Sequence, residues 1–95
     1  MVVGILKFSL FISDNQSLKE KRKILKSIVT RVHNKFNVSI AEVGSNDKWQ
    51  VAELGICAAG NDSRFIDSTI NTIISYIDSL YLGEIIDSKV EIFNV

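Results

Sequence analysis

Apolar and polar residues alternate from Val2 to Ile12, with Val2, Leu6, Phe8, Leu10 and Ile12 on one parity and Lys7 and Ser9 on the other. That is the period of a half-buried strand. The polar run Ser13-Asp14-Asn15-Gln16 ends it, and Ser17-Leu18-Lys19-Glu20 has the form of a capping box, whose hydroxyl and carboxylate satisfy orphan amides at a helix start. Leu18, Leu25, Ile28, Val29, Val32 and Phe36 then recur at helical spacing, which predicts a helix with one face packed on a sheet. Asn37 to Gly44 and Trp49 to Ala59 read as two strands of a hairpin. The intervening Ser45-Asn46-Asp47-Lys48 has a central Asn-Asp pair that tolerates positive φ. Asn61-Asp62-Ser63 supplies caps for a second helix carrying Ile66, Ile70, Ile73, Ile74, Ile77 and Leu80, with Gly83 as its stop. A last strand, Ile85 to Val95, places Ile86, Val90 and Ile92 opposite Asp87, Lys89 and Glu91.

The order is βαββαβ. It predicts an α+β, ferredoxin-like domain spanning residues 1–95, with a four-stranded antiparallel sheet covered by two helices on one face. The length of 95 residues is too short for a second core, and the 46% hydrophobic content excludes a disordered chain. One cysteine, Cys57, leaves no internal disulfide, and no segment has the form of a secretory signal or a bilayer span. A cytoplasmic protein without membrane attachment is expected.

The net charge is zero, yet the two halves differ: Met1 to Lys48 holds nine basic and four acidic residues, Trp49 onward two basic and seven acidic. Such asymmetry points to a polyanion-facing side. At about 100° per residue, Lys19, Arg22, Lys23, Lys26, Thr30 and His33 share one side of the first helix, opposite Leu25, Val32 and Phe36. Glu20 is the only carboxylate between Ser17 and Phe36, so this ridge has little internal compensation. Lys19, Lys21, Arg22, Lys23 and Lys26 are therefore the candidate contacts to RNA phosphate or another anion. Solvation alone also explains charge on an exposed helix face. Lys21 stands apart because it falls inside the apolar stripe. It either snorkels out of the first turn or turns toward a ligand at the sheet end, where the helix N-terminus offers an anion site.

The uncovered sheet face is expected to hold Val3, Ile5, Phe11, Ile40, Glu42, Trp49 and Val51. A face so apolar marks a partner, with Phe11, Trp49 and Val51 as the anchor or interface residues. A homodimer through this face or an edge strand is one candidate arrangement. Glu42 and Glu53, on one parity of adjacent strands, invite an acid-base reading, but no nucleophile or histidine accompanies them and a cross-strand pair with Lys7 is simpler. Lone His33 and Cys57 make neither a metal site nor a nucleophile, and no catalytic residue or cofactor is assigned. Cys-x-x-Cys pairs, dinucleotide and Walker glycine loops, an acylphosphatase-type phosphate loop and the aromatic pattern of an RNA recognition motif are all missing.

Ser17-Leu18-Lys19-x-Lys21-Arg22, Phe36-Asn37-Val38-Ser39, Ala41-Glu42-Val43-Gly44, Trp49-Gln50 and Ala52-Glu53-Leu54-Gly55 resemble the YlxP-like family over essentially the whole chain. The resemblance implies a ferredoxin-like fold and a gene often placed beside transcription elongation, translation initiation and ribosome maturation factors. It implies no reaction and no catalytic residues. The expectation is a non-enzymatic accessory factor associating with ribosomal RNA or a pre-ribosomal particle. The alternatives are a homodimeric interaction module and a small-anion-binding domain at the first helix N-terminus.

Overall fold

The computed structural model describes residues 1–14 and 16–95; Asn15, part of the expected polar turn, lies outside the described residues. Six elements follow in the order β1 (Val2–Phe11), α1 (Leu18–Lys35), β2 (Ser39–Gly44), β3 (Val51–Gly60), α2 (Ser63–Ser79) and β4 (Glu84–Asn94). The strands form one antiparallel sheet ordered β2-β3-β1-β4, so β1 and β3 are central and β2 and β4 are edges. This is the ferredoxin-like arrangement expected from the element order.

Alternation in β1 sorts its side chains. Val2, Leu6, Phe8 and Leu10 are buried under the helices, and Val3, Ile5, Ser9 and Phe11 are only half-buried on the other face. β3 repeats the pattern with Ala52, Leu54, Ile56 and Ala58 buried. α1 packs on β2, while α2 packs on β1, β3 and β4. Their inward residues, Leu25, Ile28 and Val32 from α1 and Ile66, Ile70, Ile73 and Ile77 from α2, complete the core with those strand residues. Truncating any of these isoleucines to Ala removes about 2–5 kcal/mol.

Both helix starts follow their caps. The Ser17 hydroxyl accepts from the Glu20 N–H at 3.1 Å, and the Asp62 carboxylate accepts from the N–H groups of Arg64 and Phe65. The end of α2 differs from expectation. Tyr81, not Gly83, takes the left-handed conformation after the C-cap, at φ 53°, and no glycine has positive φ. Gly83 serves close packing instead, because a Cβ there would lie 2.7 Å from Leu10 Cγ and 3.0 Å from the Phe11 carbonyl oxygen.

Each edge strand carries a β-bulge. In β2 the register passes from Gly44 opposite Glu53 to Glu42 opposite Leu54, leaving Val43 as the extra residue. In β4 it slips between the partners of Lys7 and Ser9, with Asp87 at φ 52°. The second bulge separates Ile86 from Val90 and Ile92: Ile86 pairs with Ser9 on the open face, whereas Ile92 pairs with Gly4 on the helix side. Val95 and Met1 close the β1–β4 ladder through two hydrogen bonds.

Candidate nucleic-acid interface

Helical geometry turns Lys19, Arg22, Lys23 and Lys26 to solvent, because Lys21, Leu25, Ile28 and Val32 occupy the buried side of α1. The four exposed cations rise about 10 Å along the helix axis. Lys23 and Lys26 flank a shallow depression with Ser27, Thr30 and Arg31, in which Arg31 Nε donates to Ser27 Oγ at 3.1 Å. Among the described residues the ion pairs are Lys21–Glu42 and Lys89–Glu91, so none of these four cations is neutralised by a bridge. Further along, Lys35 Nζ sits 4.6 Å from the Tyr76 ring centroid, and that ring meets Phe36 edge-on at 5.7 Å. Lys35 is thereby tied to α2.

Lys21 departs from both sequence-based expectations. It is 1% exposed, neither snorkelling to solvent nor turned to a ligand position. Its Nζ donates to the carbonyl oxygens of Ser45 at 2.7 Å and Lys48 at 2.8 Å, and Glu42 Oε2 stands 3.0 Å away as its counter-charge. That oxygen is buried without an aligned hydrogen-bond donor, so its burial is offset by the ammonium charge alone. Two of its three N–H groups go to carbonyls of the hairpin tip and the ammonium is buried beside Glu42, so Lys21 is closed off from a phosphate and is removed from the candidate contacts.

The Val43 bulge explains why Glu42 is there. Continued from the tip without a bulge, the pairing of Gly44 with Glu53 would leave Ile40 and Glu42 on the open face, as the sequence pattern suggested. The extra residue reverses their parity, so Ile40 is buried opposite Ile56 and Glu42 reaches Lys21 on the helix side. Glu53 stays on the open face and accepts a hydrogen bond from Ser45 Oγ at 2.9 Å. The two carboxylates lie on opposite faces and form no catalytic pair, and Glu42 is paired with Lys21 rather than Lys7. Gly44 makes room for this: a Cβ at that position would fall 2.2 Å from Glu53 Oε2.

The tip beyond the bulge is bound to the start of α1. Ser45, at φ 57°, offers its carbonyl to both the Lys48 N–H and Lys21. Gln50 accepts from the Ile12 N–H through its backbone oxygen and donates from its side chain to the Ser13 carbonyl. Trp49 therefore belongs to the tip rather than to β3, which begins at Val51, and it is 55% exposed. Phe11 and Val51 are direct cross-strand partners, both half-buried on the open face. The structure thus brings Trp49 to the end of the molecule where the ridge begins, and sets Phe11 and Val51 on the face away from the helices.

Beside the start of α1 lies a concavity whose lining includes Asp14, Glu20, Glu84 and Tyr81. Three carboxylates there oppose an anion, and Lys21 adds no charge to it. Among the described residues no cluster of His, Cys, Asp and Glu could hold a metal ion. No helix is long and apolar enough to cross a membrane.

Fold and site together define a small ferredoxin-like protein with a basic helix, a clamped hairpin and an open sheet face. Residues 3–90 match the family model described as "Protein of unknown function (DUF503)", and the chain belongs to that family. It is 42% identical over 78 residues to "Uncharacterized protein YlxP" of Bacillus subtilis (strain 168), covering 82% of this chain and 85% of that one. Among solved structures, a Deinococcus radiodurans protein provisionally assigned as an antibiotic biosynthesis monooxygenase superposes with TM-score 0.50 at 13% identity, over 100% of this chain and 92% of that one. The LarC2 domain of a cyclometallase involved in synthesis of the NPN cofactor of lactate racemase gives TM-score 0.48 at 10% identity, over 98% of this chain and 55% of that one. The first of these likenesses shows the fold alone, and the second carries no weight.

Proposed function

We propose that the chain is a non-enzymatic accessory protein that binds ribosomal RNA, free or within a pre-ribosomal particle, through the outer side of α1. The observation that carries this reading is the row of exposed cations Lys19, Arg22, Lys23 and Lys26, none of them in an ion pair described in the structure, with Glu20 as the only acid of that helix. Phosphates spaced along the row supply affinity without base specificity. Trp49, exposed on a tip that Lys21 holds against the first turn of α1, adds a surface on which an unpaired base can stack. The gene neighbourhood implied by the YlxP-like resemblance fits a translation-linked partner.

Four phosphate contacts give a slope of about −3 in log K against log salt. Fluorescence anisotropy of a labelled ribosomal RNA fragment across a potassium chloride series measures it. Lys23→Glu with Lys26→Glu is expected to cut that slope by at least half, and an unchanged slope would overturn the assignment.

A further inference from the structure

β4 is an edge strand, and the sheet leaves its outer side open. The direction of its backbone groups follows from the end of the ladder. Met1 and Val95 exchange both of their backbone hydrogen bonds. By antiparallel alternation Phe93, Glu91 and Lys89 therefore bond to β1, while Val90, Ile92 and Asn94 turn their N–H and carbonyl groups outward. Such a row is a template for another strand. The side chains beside it are exposed, Val90 on the helix side and Lys89 and Glu91 on the open face. The other edge, β2, is shorter and broken by the Val43 bulge.

We propose that a second copy of this chain pairs along β4, edge to edge and antiparallel, about a two-fold axis at Val90. Lys89-Val90-Glu91 is its own complement when the two strands run in opposite directions. With the two Val90 residues opposite each other, their outward groups exchange both backbone bonds, and each Lys89 faces the Glu91 of the other copy. These are non-hydrogen-bonded pairs, in which side chains approach most closely, with Cα atoms about 4.5 Å apart. Within one chain the same two residues stand about 7 Å apart along the strand, and their charged groups come no nearer than 3.7 Å. Lys89 is the cross-strand partner of Lys7 in its own sheet, a like-charge pairing that costs stability. The Glu91 of the second copy enters on the other flank of Lys89 and offsets that repulsion, and Glu91, whose own partner is Ile5, gains a cation opposite.

Neighbouring symmetric registers lack this match. An axis at Glu91 sets that carboxylate against its own copy in a close pair, and an axis at Ile92 sets Glu91 opposite Phe93 and Lys89 opposite Val95. The complementarity is to the chain's own sequence, which selects a second copy as the occupant. An axis between antiparallel neighbours is perpendicular to the sheet, so both helix layers fall on one side of it and the two Val90 side chains meet there. The Asp87 bulge bounds the ladder, so the contact is small and the expected affinity micromolar. α1 packs on β2, at the far edge of each copy, so its exposed cations take no part and the inference is independent of the RNA-binding reading.

Sedimentation equilibrium from low micromolar to millimolar concentration, without RNA, tests it, with far-UV circular dichroism confirming that each variant folds. The wild-type chain is expected to approach twice its 10.6 kDa mass. Lys89→Glu and Glu91→Lys each set like charges opposite across the axis, and each is expected to raise the dimer dissociation constant at least tenfold. An equimolar mixture of these two variants is expected to associate again, because an all-acidic strand then meets an all-basic one. A wild-type chain that stays monomeric throughout overturns the proposal. So does a dimer that both folded variants leave intact, or a mixture of them that stays monomeric, because the contact then lies elsewhere. A complex that forms only with an added protein partner, the chain alone remaining monomeric, also overturns it.

Discussion

Lys21 Nζ lies 3.0 Å from Glu42 Oε2, an ion pair that joins the first turn of α1 to an edge strand and leaves the lysine 1% exposed. The ammonium also takes the Ser45 and Lys48 carbonyls, so one side chain fixes helix, strand and hairpin tip in register. Removing it strands the Lys48 carbonyl and the Glu42 carboxylate and leaves the Ser45 carbonyl with the Lys48 N–H alone. Lys21→Met is expected to destabilise the fold by about 3 kcal/mol in urea denaturation. Adding Glu42→Leu should return part of that loss, since the uncompensated charge goes with it. If Lys21→Met alone leaves the midpoint unchanged, the clamp does not hold the hairpin.

Gly44 and Glu53 are coupled through space rather than along the chain. Gly44→Ala would push the Glu53 carboxylate from its place and break its bond to Ser45 Oγ. The expected cost is about 1 kcal/mol in an otherwise unchanged chain and close to nothing in a Glu53→Ala background. Equal costs in the two backgrounds would remove the proposed coupling.

Tyr81 is strained and 91% exposed. A non-glycine residue in the left-handed region costs about 1–2 kcal/mol, and an exposed ring buries little to offset it. Tyr81→Gly is therefore expected to stabilise the protein by about 1 kcal/mol and raise Tm by about 5 °C. A lowered Tm would show that the ring packs against something that matters for the fold.

The elements themselves could be read from residue pattern, because burial on one face imposes period 2 on β1 and β3 and helical period on α1 and α2. The Ser17 and Asp62 caps were equally legible, being local hydrogen bonds. What the pattern did not yield were the two bulges. Each depends on which residues face each other across strands, and a single extra residue reverses parity beyond it. Ile40 was the available signal, since an isoleucine beside a glutamate on a supposed open face is better placed under a helix. Lys21 was flagged by its position in the apolar stripe, but its partners are backbone carbonyls of a loop distant in sequence, which side-chain patterns do not encode. The ridge of Lys19, Arg22, Lys23 and Lys26 followed from helical periodicity and stands exposed. Its expected companions Phe11 and Val51 lie on the open face, as their parity indicates, and since both helices cover the other face they look away from the ridge.

Because phosphate contacts release counterions, the ridge has a second consequence that separates it from the hairpin. Charge reversal at Lys23 and Lys26 should weaken RNA binding across all sequences alike, whereas Trp49→Ala should weaken single-stranded RNA by about 1–3 kcal/mol and duplex RNA far less. Anisotropy titrations of matched single-stranded and duplex RNAs check this. Equal losses on both substrates would take Trp49 out of the interface.

The central claim is that the exposed cations of α1 bring this protein to ribosomal particles, and co-sedimentation with purified ribosomal subunits on gradients at low and moderate salt tests it most directly. The wild-type chain is expected to travel with a subunit at low salt and to dissociate at moderate salt, and the folded Lys23→Glu, Lys26→Glu variant to remain at the top of the gradient at both. Absence of the wild-type chain from either subunit at low salt, or undiminished binding by the variant, would contradict the account.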